Sequence, residues 1–251
     1  MTALVYGVDG CRGRHDAAGR SWLVVGLDDH GEFGSAAVAE SFAGVVDHTR
    51  DGELILVDIP IGLPDAERPT RTCDGEARRL IGPRFPSVFS APARAALQAA
   101  DHREASERNR RAIGKGLSKQ AWAICPRISD VDAVLRAPAD LQGRYRESHP
   151  ELCFAALNSW RPAAFAKSKP EGREERRAAL IKYRGNAAEW FERTCGLWPR
   201  SRVDPTDVLD GMVLALTAGL ALSRNCPTVP AHPPIDAAGL RMEMVCPIPM
   251  P

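Results

Sequence analysis

Three strand-like segments lie so close together at the start of the chain that they constrain the fold more than any other feature. They cover residues 4–9, 21–27 and 33–39, and polar turns separate them. A crossover between parallel strands needs about a dozen residues or more, so connections of this length favour hairpins. The sequence therefore predicts an opening of three antiparallel strands.

A helix and a fourth strand are predicted to follow directly. Ser41 is a typical N-cap, and Val45, Val46 and His48 continue the helix behind it. Residues 53–59, Glu-Leu-Ile-Leu-Val-Asp-Ile, form the most strand-like segment of the chain. Strands that are apolar on both faces are typical of a sheet covered by helices on both sides. The predicted class is therefore α/β, with a sheet between layers of helices.

The character of the sequence changes after Pro60. Prolines interrupt the chain at positions 64, 69, 83, 86 and 92, and short helices are predicted at 74–81, 92–100, 101–113 and 128–135. We interpret residues 61–142 as a helical insertion or lid within a single domain that covers residues 1–251. Beyond it we predict a strand at 145–149, helices at 151–157, 171–183, 186–194 and 206–222, and a closing strand at 240–246.

Charge and hydropathy narrow the expected partners and location. The 33 Lys and Arg against 32 Asp and Glu leave a formal net charge of +1, which argues against a protein held on nucleic acid by bulk charge. The longest apolar runs, such as residues 212–222, fall short of the roughly 18 residues of a membrane span. The apolar residues 4–8 meet Asp9 before a signal-peptide core could form. We therefore expect a cytoplasmic protein without membrane segments.

The cysteines agree with that location. There are seven of them, an odd number, and they are widely spaced without a C-x-x-C pair. Such usage predicts reduced, mostly buried thiols rather than a disulfide framework or a zinc site.

Acidic residues at the ends of predicted elements are the main functional signal. Asp9 ends one buried strand and Asp58 lies near the end of another, where a carboxylate must be desolvated. Asp207 and Asp210 stand three residues apart at the start of an apolar helix, so they share one face. Glu147 lies in the strand-like segment Tyr-Arg-Glu-Ser-His-Pro-Glu. If these acids converge, they repel one another unless cations bind, because the sequence places no matching lysine beside them.

Hard oxygen ligands select Mg²⁺ or Mn²⁺, so the expected cofactor is one of these ions. Each acid also has a plainer interpretation. Asp207 could cap its helix, Asp58 could fix a turn before Ile-Pro, and Asp9 before a glycine could be structural. The combination of two strand-end acids with a helix-start pair is more specific than any of them alone.

Seven short motifs, taken in order, carry a family resemblance. They are Val-Asp-Gly-Cys-Arg-Gly (8–13), Val-Asp-Ile-Pro-Ile-Gly-Leu-Pro (57–64), Arg-Thr-Cys-Asp-Gly-Glu-Ala-Arg (71–78), Ser-Val-Phe-Ser-Ala-Pro-Ala-Arg (87–94), Gly-Lys-Gly-Leu-Ser-Lys-Gln (114–120), Glu-Ser-His-Pro-Glu (147–151) and Asp-Val-Leu-Asp-Gly (207–211). Together they resemble the DUF429 family, which is described as predicted nucleases of the ribonuclease H-like fold. The resemblance spans nearly the whole chain.

This resemblance implies a ribonuclease H-like mixed sheet, with three antiparallel strands followed by parallel strands, flanked by helices. It also implies two-metal phosphodiester hydrolysis, in which divalent ions activate a water and stabilise the leaving oxygen. By analogy, Asp9 would bridge the ions, Asp58 would be the second acid, and Asp207 and Asp210 would follow the spacing of a resolvase branch. The family usually has Ala after the last acid, whereas this chain has Gly211.

Two stretches of the chain are locally basic. Residues 103–119 hold six Lys or Arg and two Glu, and residues 167–184 hold seven and three. These stretches and the motifs supply candidates for contacts with substrate phosphates: Arg12, Arg84, Lys115, Lys119, His149, Lys169 and Arg176. The alternative is a set of solvated helix faces with i,i+4 ion pairs, such as Glu107 with Arg111.

The leading prediction is a metal-dependent nuclease or other phosphodiester hydrolase, whose partner is a nucleic acid or a related substrate. A non-catalytic module that binds nucleic acid or protein is the alternative. Less favoured is a phosphotransferase or ATPase of the actin-like branch, which resembles a duplicated domain with a second glycine-rich loop. This chain has no internal repeat and no Gly-Gly dipeptide.

Overall fold

A five-stranded mixed sheet forms the centre of the protein. Its strands are β1 (Val5–Gly10), β2 (Trp22–Leu27), β3 (Phe33–Ala39), β4 (Leu54–Val57) and β5 (Tyr145–Glu147). They lie in the order β3-β2-β1-β4-β5. β2 is antiparallel to β1 and β3, whereas β4 is parallel to β1 and β5 is parallel to β4. The computed structural model describes residues 4–12, 21–136, 139–225 and 227–248.

The helices surround this sheet. They are α1 (Phe42–His48), α2 (Thr72–Leu80), α3 (His102–Ile113), α4 (Lys119–Leu135), α5 (Ala139–Arg144), α6 (Pro150–Leu157), α7 (Pro170–Ile181), α8 (Ala187–Cys195) and α9 (Pro205–Leu222). Two 3₁₀ turns cover Gly82–Ser87 and Arg94–Ala96. A separate ribbon pairs β6 (Thr228–Val229) with β7 (Met244–Val245).

Strand alternation gives the sheet two buried faces, as the apolar runs predict. Leu54 and Leu56 join the core that contains α9, whereas Ile55 and Val57 join the core that contains α1 and α4. Successive residues of a strand point to opposite faces, so one short strand supplies both cores. The prediction of an α/β protein with helices on both sides of a mixed sheet is confirmed.

Local capping signals place some elements accurately. The Ser41 hydroxyl accepts a hydrogen bond from the Gly44 amide at 3.2 Å, and α1 begins at the next residue, Phe42. This is the N-cap interaction that the sequence predicts, and it satisfies one of the amides left free at a helix start.

Other elements differ from the prediction. The helix expected at 92–100 is only a 3₁₀ turn, and the helix expected at 128–135 is the second half of α4. α4 continues through Pro126, because Cys125 and Ile128 on either side are buried in two neighbouring cores. The strand expected at 240–246 is reduced to β7, which pairs with β6 and not with the central sheet.

The predicted insertion at 61–142 packs against one face of the sheet. Ile61, Leu63, Ile128, Val131 and Leu135 share a core with residues of β1, β2 and β4. Within this segment, α4 covers that face of the sheet together with α1, while α2 and α3 pack in separate cores.

α9 packs closely against β1 on the other face. A Cβ atom on Gly7 would lie 2.2 Å from the Gly211 carbonyl oxygen and 2.3 Å from the Ala215 amide nitrogen. Glycine at position 7 thus allows the strand and helix backbones to touch. α9 has 18 residues and a mean hydropathy of 1.3, so it matches a membrane span in length and composition, and 67% of it is buried within the protein.

The described cysteines are free thiols. Five of them are buried and Cys195 is partly exposed, while Cys226 lies outside the described residues. This agrees with the expectation of mostly buried, unpaired cysteines.

Candidate active site

Asp9 and Asp58 lie side by side where two parallel strands end. Val8 of β1 is paired with Val57 of β4, and the Asp58 amide donates to the Val8 carbonyl at 2.9 Å. Strand alternation directs both acids toward the face that α9 covers. Asp9 is buried and its Oδ1 accepts a hydrogen bond from the Gly10 amide at 2.8 Å. The register of the sheet therefore brings the two strand-end acids together.

α9 adds two further carboxylates to this pair. Asp210 is 1% exposed and lies one turn after Asp207. Asp207 also belongs to a capping box, since Asp204 is the N-cap and its amide donates to Asp207 Oδ2 at 2.9 Å. The close approach of α9 to β1 at Gly7 holds this helix start against the strand ends. We call Asp9, Asp58, Asp207 and Asp210 the carboxylate cluster.

A lysine from a distant part of the chain lies against the cluster. Lys167 precedes α7, and its Nζ is 2.5 Å from Asp210 Oδ2. The Lys167 side chain is 46% exposed, while that of Asp210 is 2% exposed. Among the described residues, Lys167 is the only cation in ion-pair contact with the cluster, so one ammonium faces four carboxylates.

The pKa values reflect this imbalance. Burial is the largest cause that raises the pKa of Asp9, followed by the charges of Asp210 and Asp58. Burial also raises the pKa of Asp58, although His149 and a hydrogen bond with Asp9 act in the opposite direction. Burial and Asp210 raise the pKa of Asp207 to about 6. The cluster thus holds its negative charge at a cost, and a bound cation would relieve it.

Asp210 favours the charged form of Lys167, its ion-pair partner. Its charge raises the pKa of Lys167, so this lysine carries its proton at any physiological pH. The ammonium is therefore a permanent positive charge at the cluster.

A cavity of about 160 Å³ opens beside Asp9 and Asp58. His149 lines it, with Nε2 3.3 Å from the Ser87 carbonyl oxygen. The other ring nitrogen, Nδ1, is buried and has no hydrogen-bond partner within the described parts of the chain. A buried imidazole nitrogen without a partner is uncommon in proteins, so Nδ1 marks His149 as a candidate to bind a water or a substrate atom.

Arg127 of α4 forms another wall of this cavity. Its Nη2 donates to the Cys11 carbonyl at 2.7 Å, and its guanidinium lies 5.9 Å from the ring centroid of Trp22. A Cβ atom on Gly10 would lie 2.8 Å from Arg127 Cζ, so glycine leaves room for the arginine. Sequence reasoning missed Arg127, because no helix was expected at that position.

Glu147 occupies a different environment from the one predicted. Along β5 Tyr145 joins the core on the side of α1 and α4, and alternation places Glu147 on that same side, away from α9. Its carboxylate forms a buried ion pair with Arg71 and accepts a hydrogen bond from the Ile61 amide at 2.7 Å. Burial raises its pKa to about 8, while Arg71 acts in the opposite direction. Glu147 lines the cavity but is not part of the carboxylate cluster.

Two predicted substrate contacts support the fold instead. Arg176 is 1% exposed, and its Nη2 is bound by both carboxylate oxygens of Glu151 at 2.6 and 2.8 Å. Arg84 donates to the carbonyls of Ala163 and Ala164 at 2.9 and 2.6 Å. The buried Arg176 guanidinium is not available in this arrangement for a phosphate, which corrects the prediction for Arg176, while Arg84 is partly exposed and uses two of its nitrogens to hold the backbone.

The remaining basic candidates are exposed. Arg12, Lys115, Lys119 and Lys169 are all on the surface. Lys115 lines a second cavity of about 650 Å³. This second cavity shares four lining residues with the first: Arg71, Asp74, Val88 and Phe89. Lys115 is therefore the one of these four surface residues that lines a cavity adjoining the cavity beside Asp9 and Asp58.

Ion pairs with glutamates involve two of the basic side chains in the stretch at 103–119. Glu104 pairs with Arg108 at 2.6 Å and Glu107 with Arg103 at 3.5 Å, both at i,i+4 spacing. These pairs agree with the alternative interpretation of residues 103–119 as a solvated helix face with i,i+4 ion pairs. The partner of Glu107 is Arg103 and not Arg111, the partner named in the sequence analysis. Lys167 behaves differently from its neighbours, and its sequence position alone gave no sign of that.

The donor chemistry of the cluster suits a hard divalent ion, since all four side chains offer carboxylate oxygens. The four carboxylates do not form a complete set of metal ligands in this structure. Within residues 4–12, 21–136, 139–225 and 227–248, no three His, Cys, Asp or Glu side chains are grouped so that they could hold a metal ion. The Lys167 ammonium on Asp210 is the positive charge that the described structure provides there.

A family model described as "Protein of unknown function (DUF429)" matches residues 7–235. The chain belongs to the DUF429 family. No curated protein and no solved structure matches it. The DUF429 match includes the whole carboxylate cluster as well as Lys167, Arg127 and His149. The family description states no activity, so a function for this DUF429 protein has to be argued from the site itself.

Proposed function

We propose that the protein is a metal-dependent hydrolase of phosphodiesters, and specifically a nuclease with a ribonuclease H-like domain. The observation that carries the proposal is the carboxylate cluster. Its members come from β1, the end of β4 and the start of α9, yet they are close enough to raise one another's pKa. Asp9 and Asp210 are buried, while Asp58 and Asp207 are partly exposed. Buried acids with so few compensating donors are costly for stability, and active sites are where such groups concentrate.

The sheet supports the ribonuclease H-like assignment. Three antiparallel strands are followed by a helix and by two strands parallel to the first. This is the order that the sequence resemblance implies, and Asp9 lies on the first strand of that order.

Mg²⁺ or Mn²⁺ is the proposed cofactor, and Asp9, Asp58, Asp207 and Asp210 are the residues that would hold it. Such an ion, when bound, lowers the pKa of a water and stabilises negative charge on phosphate oxygens. The residues around it have their own tasks. His149 offers the unpartnered Nδ1 to a water or proton in the cavity, and Arg127 places a positive charge opposite the acids.

The proposed substrate is a nucleic acid strand or a related phosphodiester. The second cavity leads away from the cluster, and Arg78, Arg79 and Lys115 line it. Positive side chains along a groove bind phosphates through charge, without regard to base identity. A net charge of +1 places the attraction in this groove rather than on the whole surface.

The test is a cleavage assay with Mn²⁺ or Mg²⁺ on single-stranded, duplex and branched DNA, on RNA, and on a small phosphodiester. We expect wild-type protein to cleave at least one of them. Asp9→Asn should lower the rate by more than about 100-fold, because even indirect partners of metal ligands are worth about 10- to 100-fold. Asp29→Asn, at an exposed turn where the side chain is 59% exposed, is the matched control and should be as active as wild type.

Binding of nucleic acid without cleavage would favour the alternative function, a non-catalytic binding module. If wild-type protein binds nucleic acid but cleaves none of these substrates with either ion, the acids serve binding or structure and the hydrolase proposal fails. An ATP-induced rise in melting temperature would instead favour the actin-like branch.

A further inference from the structure

The segment between α6 and α7 carries Lys167, and it is held in place on both sides. Glu175 of α7 accepts hydrogen bonds from the amides of Ala164 and Phe165 at 2.9 and 3.2 Å. The two guanidinium groups already described bind carbonyls of the same segment, Arg176 from α7 and Arg84 from the 3₁₀ turn at Gly82–Ser87. Arg84 donates to the carbonyls of Ala163 and Ala164, and Arg176 donates to the Phe165 carbonyl at 3.2 Å.

The backbone just before Lys167 also packs against α7 without a gap. A Cβ atom on Gly172 would lie 2.0 Å from the Ala166 carbonyl oxygen, so only glycine fits there. The Lys169 amide donates to the same carbonyl at 2.9 Å. An exposed lysine on a loose loop pays side-chain entropy to hold an ion pair. Here the backbone that carries Lys167 is anchored before and after that residue. The fold therefore fixes the backbone, and only the side chain has to be ordered to form the ion pair.

The position of the ammonium is specific as well. Asp210 is almost fully buried, and Lys167 Nζ lies on its Oδ2 oxygen from the open side of the cluster. By comparison, Lys169 has no ion-pair partner among the described residues, although it is only two positions further along the chain. A second divalent ion on Asp210 would meet the Lys167 charge within a few ångströms and would be repelled by it.

We propose that the Lys167 ammonium takes the place of one of the two cations that a carboxylate cluster of this size calls for, so that the site binds one divalent ion and not two. This inference rests on the proposed function, because it concerns how many ions the same site uses. Lys167 is then a fixed positive charge on Asp210, at the place where a second ion would otherwise bind. With one divalent ion bound, the four carboxylates and the ammonium leave a net charge of −1, whereas a second divalent ion would make the site positive.

The experiment counts Mn²⁺ ions bound per chain, by equilibrium titration with the free Mn²⁺ followed by its electron paramagnetic resonance signal. Wild-type protein should bind one ion. Lys167→Met removes the charge but keeps most of the side-chain stem, and it should bind two. Lys167→Arg keeps the charge and should bind one. Lys169→Met is the matched control in the same segment and should also bind one.

Two results would overturn the inference while leaving the proposed function intact. One is a wild-type protein that binds two ions, and the other is a Lys167→Met protein that still binds one. If no variant binds Mn²⁺, the metal-dependent function itself fails, and the inference fails with it.

Gly172→Ala provides a second route to the same answer if Lys167→Met does not fold. This change keeps every charged side chain but pushes the Ala166 carbonyl away from α7, which displaces Lys167 from Asp210. We expect it to admit a second ion with lower affinity than in Lys167→Met. A folded Gly172→Ala protein that holds one ion with wild-type affinity would contradict the role given to the anchored segment.

Discussion

Two groups of acids lie at the same end of the sheet, with members that line one cavity, and they are compensated by cations and backbone amides to very different extents. On one face is the carboxylate cluster, with Lys167 as its cation. On the other face is Glu147, which shares Arg71 with Asp74 of α2, and the Arg71 side chain is 1% exposed. Arg71 donates to Asp74 Oδ1 at 3.0 Å and to the Ile61 carbonyl at 3.1 Å, besides its pair with Glu147.

Backbone amides complete the second group. Ile61 donates to Glu147 Oε2 at 2.7 Å, and Ala91 donates to Asp74 Oδ2 at 3.2 Å. Each acid therefore has a guanidinium and an amide as hydrogen-bond partners, although burial still raises the pKa of Glu147 to about 8. The carboxylate cluster has more charge and fewer donors. The comparison indicates that Arg71, Asp74 and Glu147 hold the fold together, whereas the cluster keeps negative charge that Lys167 alone does not balance, which is the basis of the metal-dependent function proposed above.

The largest effect is expected from removing the shared arginine. Arg71→Met leaves Asp74 and Glu147 buried without their cation, and breaking one partner of such a pair costs about 3–5 kcal/mol. We expect a loss of this size in the free energy of unfolding, measured by urea denaturation. Arg50→Met is the control, because Arg50 pairs with Asp47 on the surface, where pairs contribute about 0–1 kcal/mol. If both variants lose the same free energy of unfolding, Arg71 stabilises its buried acids no more than a surface ion pair does, and its assigned role in holding the fold together is wrong.

The next effect concerns the contact that brings α9 to β1. Gly7→Ala places a Cβ atom 2.2 Å from a backbone oxygen, so helix and strand must separate. Overpacking of this kind costs about 1–3 kcal/mol and occasionally more. Because the shift also moves Asp210 away from Asp9, Mn²⁺ binding should weaken together with stability.

Gly75→Ala is the matched control for this substitution. Gly75 lies in α2, and nothing is within 4 Å of the position of an added Cβ atom. Since alanine favours a helix over glycine by about 1 kcal/mol, this variant should be slightly more stable than wild type. A stable Gly7→Ala protein with wild-type Mn²⁺ affinity would show that the close contact does not position the cluster.

Asp58 and Glu147 form the sharpest single-residue comparison, since Asp58 directly follows Val57, the strand partner of Glu147. Without divalent ions, Asp58→Asn should change the free energy of unfolding by about 1 kcal/mol or less, toward greater stability, because it removes one of several repelling charges. Glu147→Gln should instead lose about 1–3 kcal/mol, since buried Arg71 loses one of its two carboxylate partners and keeps only Asp74. A destabilised Asp58→Asn protein beside an unchanged Glu147→Gln protein would reverse the two assignments.

The smallest effect is a pH dependence of stability. The pKa of Asp207 is raised to about 6, whereas an unfolded aspartate titrates near 3.9. Between these values the folded protein holds a proton that the unfolded chain releases, so this group's contribution to stability is lost as the pH rises from about 4 to 6. Asp207→Asn should remove that contribution.

The measurement is the melting temperature across this pH range with a chelator present, for wild type, Asp207→Asn and Asp29→Asn. Asp29→Asn should follow the wild-type profile. If the wild-type and Asp207→Asn profiles are parallel, Asp207 is not coupled to the cluster in the way its burial and Asp210 imply.

Much of the fold could be predicted because its signals are local. The strand that ends in Asp9, the N-cap at Ser41 and the apolar helix that begins near Asp207 follow from alternation, capping and hydropathy within short windows. The pairing of Asp9 with Asp58 could also be anticipated, because parallel neighbours end at the same edge of a sheet. α4 was the main failure, because burial on both sides of Pro126 outweighs the local preference of proline to end a helix.

The sequence by itself thus determined which acids end the strands and start the last helix, since those positions depend on residues a few places away. The tertiary structure alone decided what surrounds them. It turned Glu147 toward Arg71, brought Lys167 to Asp210 across 43 positions of the chain, and placed Arg127 over Gly10. These contacts join side chains that are distant in sequence, and no local pattern records which distant charge a buried carboxylate will meet.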